Sequence, residues 1–258
     1  MRTKIHKTAI IHKDSQIDEN VEIGPNTIIG SQVKIGKNVK IASNVLIDGK
    51  TTVGDGCKIF HSAVVGSEPQ DLKYKGENTE TVIGSGTIIR EFVSVNRSTD
   101  FKNPTKIGNN CLLMAYVHCA HDCQLDDNVI LANCVNLSGH IQIEKNVIIG
   151  GMTPIHQFVK IGCYAFVGGF SRVTQDVAPY LLGTGIPFKI VGLNSVGLKR
   201  NNFSKKKMKI LKQMFKIFYL SDLNTSQAVS KIKNELEIID EIKHFLDFVK
   251  ASERGISK

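Results

Sequence analysis

Residues 17–47 read IDENVEIGPNTIIGSQVKIGKNVKIASNVLI, with isoleucine at 17, 23, 29, 35, 41 and 47. One large apolar residue every six positions fits neither the 3.6-residue period of a helix nor the two-residue alternation of a half-buried strand. The series extends upstream to Ile11 and Ile5 and downstream to Val53, Ile59 and Val65. It resumes at Ile83, Ile89 and Val95, then runs from Ile107 to Val173. Within it, Phe101 and Cys119 are taken as apolar members, and Asp71 and Glu77 break the rule. A sustained six-residue period is the signature of a parallel β-helix built from hexapeptide repeats.

Two further phases agree. Small or β-branched residues sit two positions before each repeat residue, among them Ala9, Val21, Thr27, Val33, Val39, Val45, Val129 and Val147. Such side chains suit the tight interior of a coil. Three positions after it, asparagine recurs as Asn20, Asn26, Asn38, Asn44, Asn110, Asn128 and Asn146. Asparagine tolerates the left-handed backbone that a sharp corner requires. Three hexapeptides then form one triangular coil, with residues eighteen apart stacked at about the 4.8 Å strand spacing.

The pattern weakens at GSEPQDLKYKGENTETV (66–82) and at NRSTDFKNPTK (96–106). Both read as loops thrown out of the coil, and loops on a rigid scaffold often carry function. The alternative, stronger for the second loop, is an insertion tolerated at a corner. After Pro187 the period vanishes and the composition becomes helical, so a coil over 1–186 and a helical domain over 187–258 are expected. Ser204 is placed to cap a helix with Met208, Leu211, Phe215 and Phe218 on one side, and further helix is expected from about Thr225 to Val249. Eight basic residues and no acidic one lie between Lys199 and Lys216. They are either a solvated face or a dock for an acidic macromolecule.

The whole-chain balance, a net charge of +9, also favours an acidic partner. Against nucleic acid, the basic stretch has aromatics only at Phe203 and Phe215 and lacks an interleaved stacking array. No run approaches the ~20 apolar residues of a spanning helix. The N-terminal MRTKIHKTAIIHKDSQ has no apolar core, so no signal peptide is expected. Six cysteines without a secretory context point to free thiols in a reducing compartment.

HCAHDC (118–123) concentrates metal-ligand and general-base residue types. The repeat separates them. Cys57, Cys111 and Cys123 occupy the small-residue phase and Cys119 the apolar phase, so these thiols should point inward. His118, His121, His140 and His156 fall outside both phases, and His140 lies eighteen residues after Asp122, one coil along the same edge. Two chemistries fit such a line of imidazoles. One is zinc held by histidines at a subunit boundary, as in carbonic anhydrases of the left-handed β-helix type. The other is a histidine general base oriented by a carboxylate, which the His121–Asp122 pair supplies.

PQDLKYKGE (69–77), MAYVHCAHDC (114–123), LSGH (137–140), GGMTPIHQF (150–158), QDVAPY (175–180) and GLNSVGLKRNNFS (192–204) together resemble the UDP-N-acetylglucosamine O-acyltransferases that open lipid A synthesis. The resemblance spans almost the whole chain. It implies a left-handed parallel β-helix followed by a C-terminal α-helical domain, assembled as a homotrimer with active sites in the clefts between subunits. It implies a cytoplasmic enzyme of a Gram-negative bacterium that moves a 3-hydroxyacyl group from acyl carrier protein to the 3-position of the UDP-sugar. The 4'-phosphopantetheine arrives on the carrier, and neither cofactor nor metal is required.

By the same resemblance His121 is the base, Asp122 orients it, and the N–H of Gly139 faces the oxyanion. Gln70, Asp71, Lys73, His118, His140, His156, Gln157, Asn194 and Arg200 match substrate-binding positions. Gly169 matches the place where side-chain size limits the acyl chain, and Phe166 and Phe170 stand beside it. Family members often carry an acidic residue at the position of Val196 and a second arginine at that of Asn201, so contacts through these positions differ here. The related N-acyltransferase of the same pathway, a zinc hydratase and a non-catalytic carrier-protein scaffold remain alternatives.

Overall fold

The computed structural model describes residues 3–258; Met1 and Arg2, the start of the basic N-terminal stretch, lie outside it. Most strands are two residues long and begin or end on a repeat residue, from Lys4–Ile5, Ile10–Ile11 and Gln16–Ile17 to Phe166–Val167. They stack into three sheets of eleven, eight and eight strands. We call these the first, second and third faces, in the order in which Lys4–Ile5, Ile10–Ile11 and Gln16–Ile17 start them. Pairing is parallel, with a register of eighteen residues in the regular coils: Glu22 opposite Lys40, Ile23 opposite Ile41.

From Ile23 onward the repeat residues of the coil point inward and are buried, as Ile23, Ile41, Ile59, Ile89, Leu113, Leu131, Ile149 and Val167 illustrate on the first face, whereas Ile5 in the first coil is exposed. The small-residue phase fills the space between them, and Cys57, Cys111, Cys119 and Cys123 are part of this core. Threonines in that phase satisfy their hydroxyls on the neighbouring coil, Thr27 Oγ1 donating to the Ala42 carbonyl at 2.7 Å and Thr87 Oγ1 to Gly108 at 2.8 Å. Burying a hydroxyl without a partner would cost roughly 1–3 kcal/mol.

Every asparagine of the third phase adopts the expected positive φ, between 54° for Asn110 and 64° for Asn20. Most other corners adopt it with other residues, although Thr8, Asp14 and Gln32, at the same phase, do not. Asp122, His140 and Phe158 hold it where the second face meets the third, and Phe92, Tyr116, Cys134, Met152 and Phe170 hold it where the first meets the second.

The two loops leave and rejoin the coil at one edge. The first follows the strand Val64–Ser67 on the second face and returns at Glu80–Ile83 on the third; the second runs between Ser94–Asn96 and Thr105–Ile107, on the same two faces. Strand pairing therefore claims both ends of the expected loop segments. Register across them jumps by thirty residues, Val53 to Ile83, and by twenty-four, Ile83 to Ile107. Both steps are multiples of six, which is why the sequence phase survives the insertions. Phe101, taken as an apolar member of the series, matches the phase by number alone: it lies on the second loop and is 73% exposed.

An antiparallel pairing of Leu181–Thr184 with Lys189–Leu193 straddles residue 187 and closes the end of the first face. Four helices follow: α1 (Ser195–Arg200), α2 (Lys205–Tyr219), α3 (Thr225–Glu235) and α4 (Asp240–Lys250). Ser204 caps α2, its hydroxyl accepting from Lys207 N–H, and Asn224 with Gln227 forms a capping box on α3. Met208, Leu211, Met214, Phe218, Ile232, Ile242 and Phe245 build a second core that also takes in Cys163 and Tyr180 from the coil. The C-terminus returns to the coil, where Asp176 accepts from Ser252 Oγ at 2.6 Å and, through its carbonyl, from Ser257 N–H at 2.8 Å. Among the described residues no helix is long and apolar enough to cross a membrane.

Candidate active site

The edge between the second and third faces gathers what the sequence dispersed. His118 lies on the second-face strand His118–Cys119, and His121, Asp122, Gly139, His140, His156 and Gln157 fall on successive turns of the corner beyond it. Both loops emerge there.

At its centre, His121 Nδ1 and Asp122 Oδ2 are 2.7 Å apart, and both residues are buried. Thr99, on the second loop, donates its N–H to Asp122 Oδ1 at 2.9 Å and its hydroxyl to Oδ2 at 2.6 Å. Thr105 Oγ1 accepts from Asp122 N–H at 2.8 Å and fixes the backbone of the corner. Burial alone would push the Asp122 carboxyl up, but the hydrogen bonds from His121 and Thr99 outweigh it and hold it below the usual carboxylate range. An ionised Asp122 keeps the proton of His121 on Nδ1, which leaves the Nε2 lone pair free for a substrate hydroxyl.

Gly139 lies against that imidazole. A Cβ there would stand 2.5 Å from His121 Cε1 and 2.9 Å from Nε2, so only glycine lets the ring adopt this position. Its carbonyl accepts from Phe158 N–H at 3.2 Å, while its own N–H donates to no acceptor among the described residues. His140 packs edge-on to His121 with ring centroids 5.2 Å apart, and stacks on Phe158 at 4.6 Å. Its Nε2 stands 3.5 Å from Asp122 Oδ2. His118 Nδ1 meets Ser94 Oγ at 2.7 Å, and burial together with the neighbouring His121 lowers its pKa, which favours the neutral imidazole. His156 and Gln157 are exposed.

The first loop is pinned at its base by Arg97, which donates to the Tyr74 hydroxyl at 3.0 Å and the Gly66 carbonyl at 3.1 Å and meets Glu68 at 3.1 Å. Its tip is free: Gln70, Leu72 and Lys73 are exposed, and Asp71 is half-buried, accepting from Lys73 N–H.

Three expected positions lie elsewhere. Gly169 is beside the corner between the first and second faces, where an added Cβ would approach the Gly151 carbonyl at 3.2 Å. Arg200 ends α1 and is exposed. Asn194 holds contacts within the chain. It is buried, its Oδ1 caps α1 by accepting from Gly197 N–H, and its Nδ2 donates to the Tyr164 carbonyl at 2.8 Å. Tyr164 occupies the corner between the third and first faces, so a single chain does not bring this segment to His121.

Thr99, Thr105, Ser94 and Arg97 are the residues that sequence reasoning missed. The repeat says nothing about a loop, and only the twenty-four-residue register across the second loop links Ser94 with His118.

Metal chemistry has a geometric foothold, because donor atoms of His121, Asp122 and His140 lie within 4.8 Å of one another. The carboxylate of that set is already engaged by His121 and by both donors of Thr99. Cys119 and Cys123 cannot join it, since their side chains are enclosed in the coil.

Residues 104–139 match the bacterial transferase hexapeptide model, residues 4–103 the C-terminal domain model of GMPPB, and residues 176–257 the second domain of Udp N-acetylglucosamine O-acyltransferase. The acyl-[acyl-carrier-protein]–UDP-N-acetylglucosamine O-acyltransferase of Thermodesulfovibrio yellowstonii is 47% identical over 213 residues, 82% of this chain and 83% of its own. That of Sulfurihydrogenibium is 52% identical over 202 residues, 78% and 74% of the two chains. The crystal structure of a UDP-N-acetylglucosamine acyltransferase from Bacteroides fragilis superimposes with a TM-score of 0.96 at 40% identity, covering 98% of this chain and 100% of its own. The Campylobacter jejuni structure gives 0.92 at 36% identity, covering 98% and 99%. The coil is thus the left-handed β-helix of these structures, and the chain belongs to the UDP-N-acetylglucosamine O-acyltransferase family.

Proposed function

We propose that this acyltransferase moves a 3-hydroxyacyl chain from acyl carrier protein to the 3-hydroxyl of UDP-N-acetylglucosamine, the first step of lipid A synthesis. The observation that carries the mechanism is the His121–Asp122 dyad set against the free N–H of Gly139. His121 Nε2 takes the proton of the sugar hydroxyl as its oxygen attacks the thioester carbonyl. The Gly139 N–H receives the oxyanion of the tetrahedral intermediate, an interaction worth several kcal/mol in an enclosed site. Collapse of the intermediate breaks the C–S bond, and the proton on His121 passes to the leaving pantetheine thiolate. Asp122 orients the imidazole and stabilises its cationic form. No step calls for a metal or a resident cofactor.

Gln70, Asp71 and Lys73 reach the nucleotide-sugar from the first loop, with His118, His140, His156 and Gln157 along the coil. Asn194 contributes by anchoring α1, which presents Arg200. Because Arg200 and His121 lie near different corners of one chain, the complete site is formed between subunits of a homotrimer. The exposed apolar corner of Phe92, Tyr116, Met152 and Phe170 fits such packing. The acyl chain extends past Gly169.

Acyl carrier protein docks on the lysines of α2. Lys205, Lys209, Lys212 and Lys216 are exposed and form no ion pair among the described residues, whereas Lys206 and Lys207 meet Glu237 and Glu241; the unpaired lysines support a binding role. The enzyme then works in the cytoplasm of a Gram-negative bacterium, where the carrier is. We also propose that 1–186 and 187–258 act as a coil domain and a helical domain, joined by the hairpin at residue 187. Incubation with acyl carrier protein thioesters and UDP-N-acetylglucosamine, read by mass, tests the reading. Acylation of only a 3-amino acceptor would replace it with the N-acyltransferase.

A further inference from the structure

A cavity of about 710 Å3 lies away from the histidine edge, between the coil and the C-terminal helices. On its wall Glu144, Cys163 and His244 bring a carboxylate oxygen, a thiol sulfur and an imidazole nitrogen within 4.8 Å of one another. Cys163 falls in neither interior phase of the repeat, so the packing that accounts for Cys57, Cys111, Cys119 and Cys123 does not account for it. It is nevertheless buried, under the helical tail.

We propose that Glu144, Cys163 and His244 form a binding site for a thiophilic divalent transition metal, of which zinc is the type, with its open position facing the cavity.

Three arguments carry this. The first is placement. Glu144 and Cys163 come from successive coils, His244 from α4, and each is held by its element. Glu144 Oε2 accepts from Cys163 N–H at 2.7 Å and lies 2.7 Å from His244 Nε2. Around a tetrahedral zinc with Zn–S ≈ 2.3 Å and Zn–N or Zn–O of about 2.0–2.1 Å, neighbouring donors stand roughly 3.3–3.6 Å apart. The carboxylate and imidazole must therefore part by about half an ångström, which a side-chain rotation provides.

The second is chemistry: one thiolate, one imidazole and one carboxylate select zinc or its neighbours over magnesium or calcium, which prefer all-oxygen sets. The third is charge. A dication cancels the carboxylate and the thiolate. Asp126, whose carboxyl stands one coil below Glu144, and Asp240 and Glu241 across the cavity outnumber the two lysines on its wall, Lys145 and Lys207, and Lys207 is paired with Glu241. One carboxylate oxygen of Glu241 is buried without a hydrogen-bond partner among the described residues.

A Cys–His–carboxylate nucleophile is less well served. There the thiol and the carboxylate flank opposite nitrogens of the imidazole, whereas here Glu144 touches both the Cys163 backbone and His244 Nε2, and the donors gather round one point. Bound metal would bridge two coils and α4, clamping the tail to the solenoid.

The test is a Co2+ titration of the chelator-treated full-length protein, followed by absorption. One equivalent should bind with a thiolate-to-cobalt charge-transfer band and the strong visible bands of a four-coordinate ion, and Zn2+ should abolish both. Cys163→Ser should remove the charge-transfer band, and His244→Ala should weaken binding by more than about tenfold. Cys134→Ser and His121→Ala should change neither. Absence of the band in the wild type, its survival in Cys163→Ser, or its loss in Cys134→Ser would overturn the proposal. Should Cys163→Ser fail to fold, His244→Ala, on the surface of α4, decides it: unchanged affinity refutes the site.

Discussion

His121→Ala should lower acyl transfer by about 10²–10⁴-fold, the usual range for a lost general base, without altering the circular dichroism. Asp122→Asn should act on kcat rather than KM and cost a comparable factor, because the amide cannot accept from His121 Nδ1 and both Thr99 donors and no longer holds the proton on Nδ1. Gly139→Ala tests the other half of the centre. Its Cβ would collide with Cε1 of His121, so kcat should fall roughly a hundredfold while thermal stability changes little. Alanine keeps the backbone N–H, so wild-type kcat in that variant would show that catalysis does not depend on the imidazole position Gly139 leaves open. His121 and Asp122 were legible in the sequence because the repeat assigned their cysteine neighbours to the interior and left them outside. Thr99 was not, since its link to Asp122 spans twenty-three residues across a break in the repeat. The commitment of the Asn194 side chain to the Tyr164 carbonyl was equally hidden, since nothing in GLNSVGLKR announces a contact thirty residues away.

For an element of this fold, the corner is the unit of cost. Left-handed backbone is unfavourable by about 1–2 kcal/mol for most residues and less for asparagine. Asn128→Val should accordingly lower unfolding free energy by about that amount in urea denaturation, whereas Asn128→Gly should be nearly neutral. The asparagines predicted their corners correctly. Phe158, Tyr116 and Phe170 adopt the same geometry without the propensity for it, Asp122 and His140 with more tolerance of it, and all five lie on the edges proposed for substrate and for a neighbouring subunit.

The junction of α4 with the coil makes a pH prediction for metal-free protein. Hydrogen bonds to Cys163 and Glu144, working against burial, push the pKa of His244 up to about 10. Tyr180 also faces the ring, with Asp126, Glu241 and Lys207 across the cavity. The folded value exceeds the unfolded one, so the contribution is complete below about 6.5 and is lost as pH rises through about 10. The side chain is 38% exposed, so solvent screens the pair and the fall in Tm between pH 7 and 10 should be small. It should shrink in Glu144→Gln, which keeps the larger contribution from Cys163; a full-sized fall in that variant would assign the loss to other groups.

At the scale of the molecule, the solenoid was legible almost entirely, because each coil repeats the same local demand and errors in one hexapeptide are outvoted by the others. The helical tail was read in outline only: its helices show in the periodicity, but the contacts that seat them on Cys163, Tyr180 and Asp176 are long-range. If the α2 lysines dock an acidic carrier, KM for the carrier thioester should rise severalfold between 50 and 300 mM salt, against a nearly constant KM for a pantetheine thioester, since exposed charges are screened beyond about 10 Å at 0.1 M. Equal salt dependence for both donors would move the dock elsewhere. Light scattering should report three times the chain mass at assay concentrations, and a monomer that retains full activity would refute a site shared between subunits. Finally, the steps of thirty and twenty-four across the loops mean that the coil keeps a reading frame of six, as a gene keeps one of three. Excising 68–79, two whole hexapeptides, should leave all downstream residues in frame and yield a folded, inactive coil. Excising one residue fewer should shift Ile83 and its successors out of the core at that corner, and the protein should be insoluble or unfolded. Length changes in this protein are therefore quantised, and a natural variant of it is expected to differ at these two loops by whole codewords.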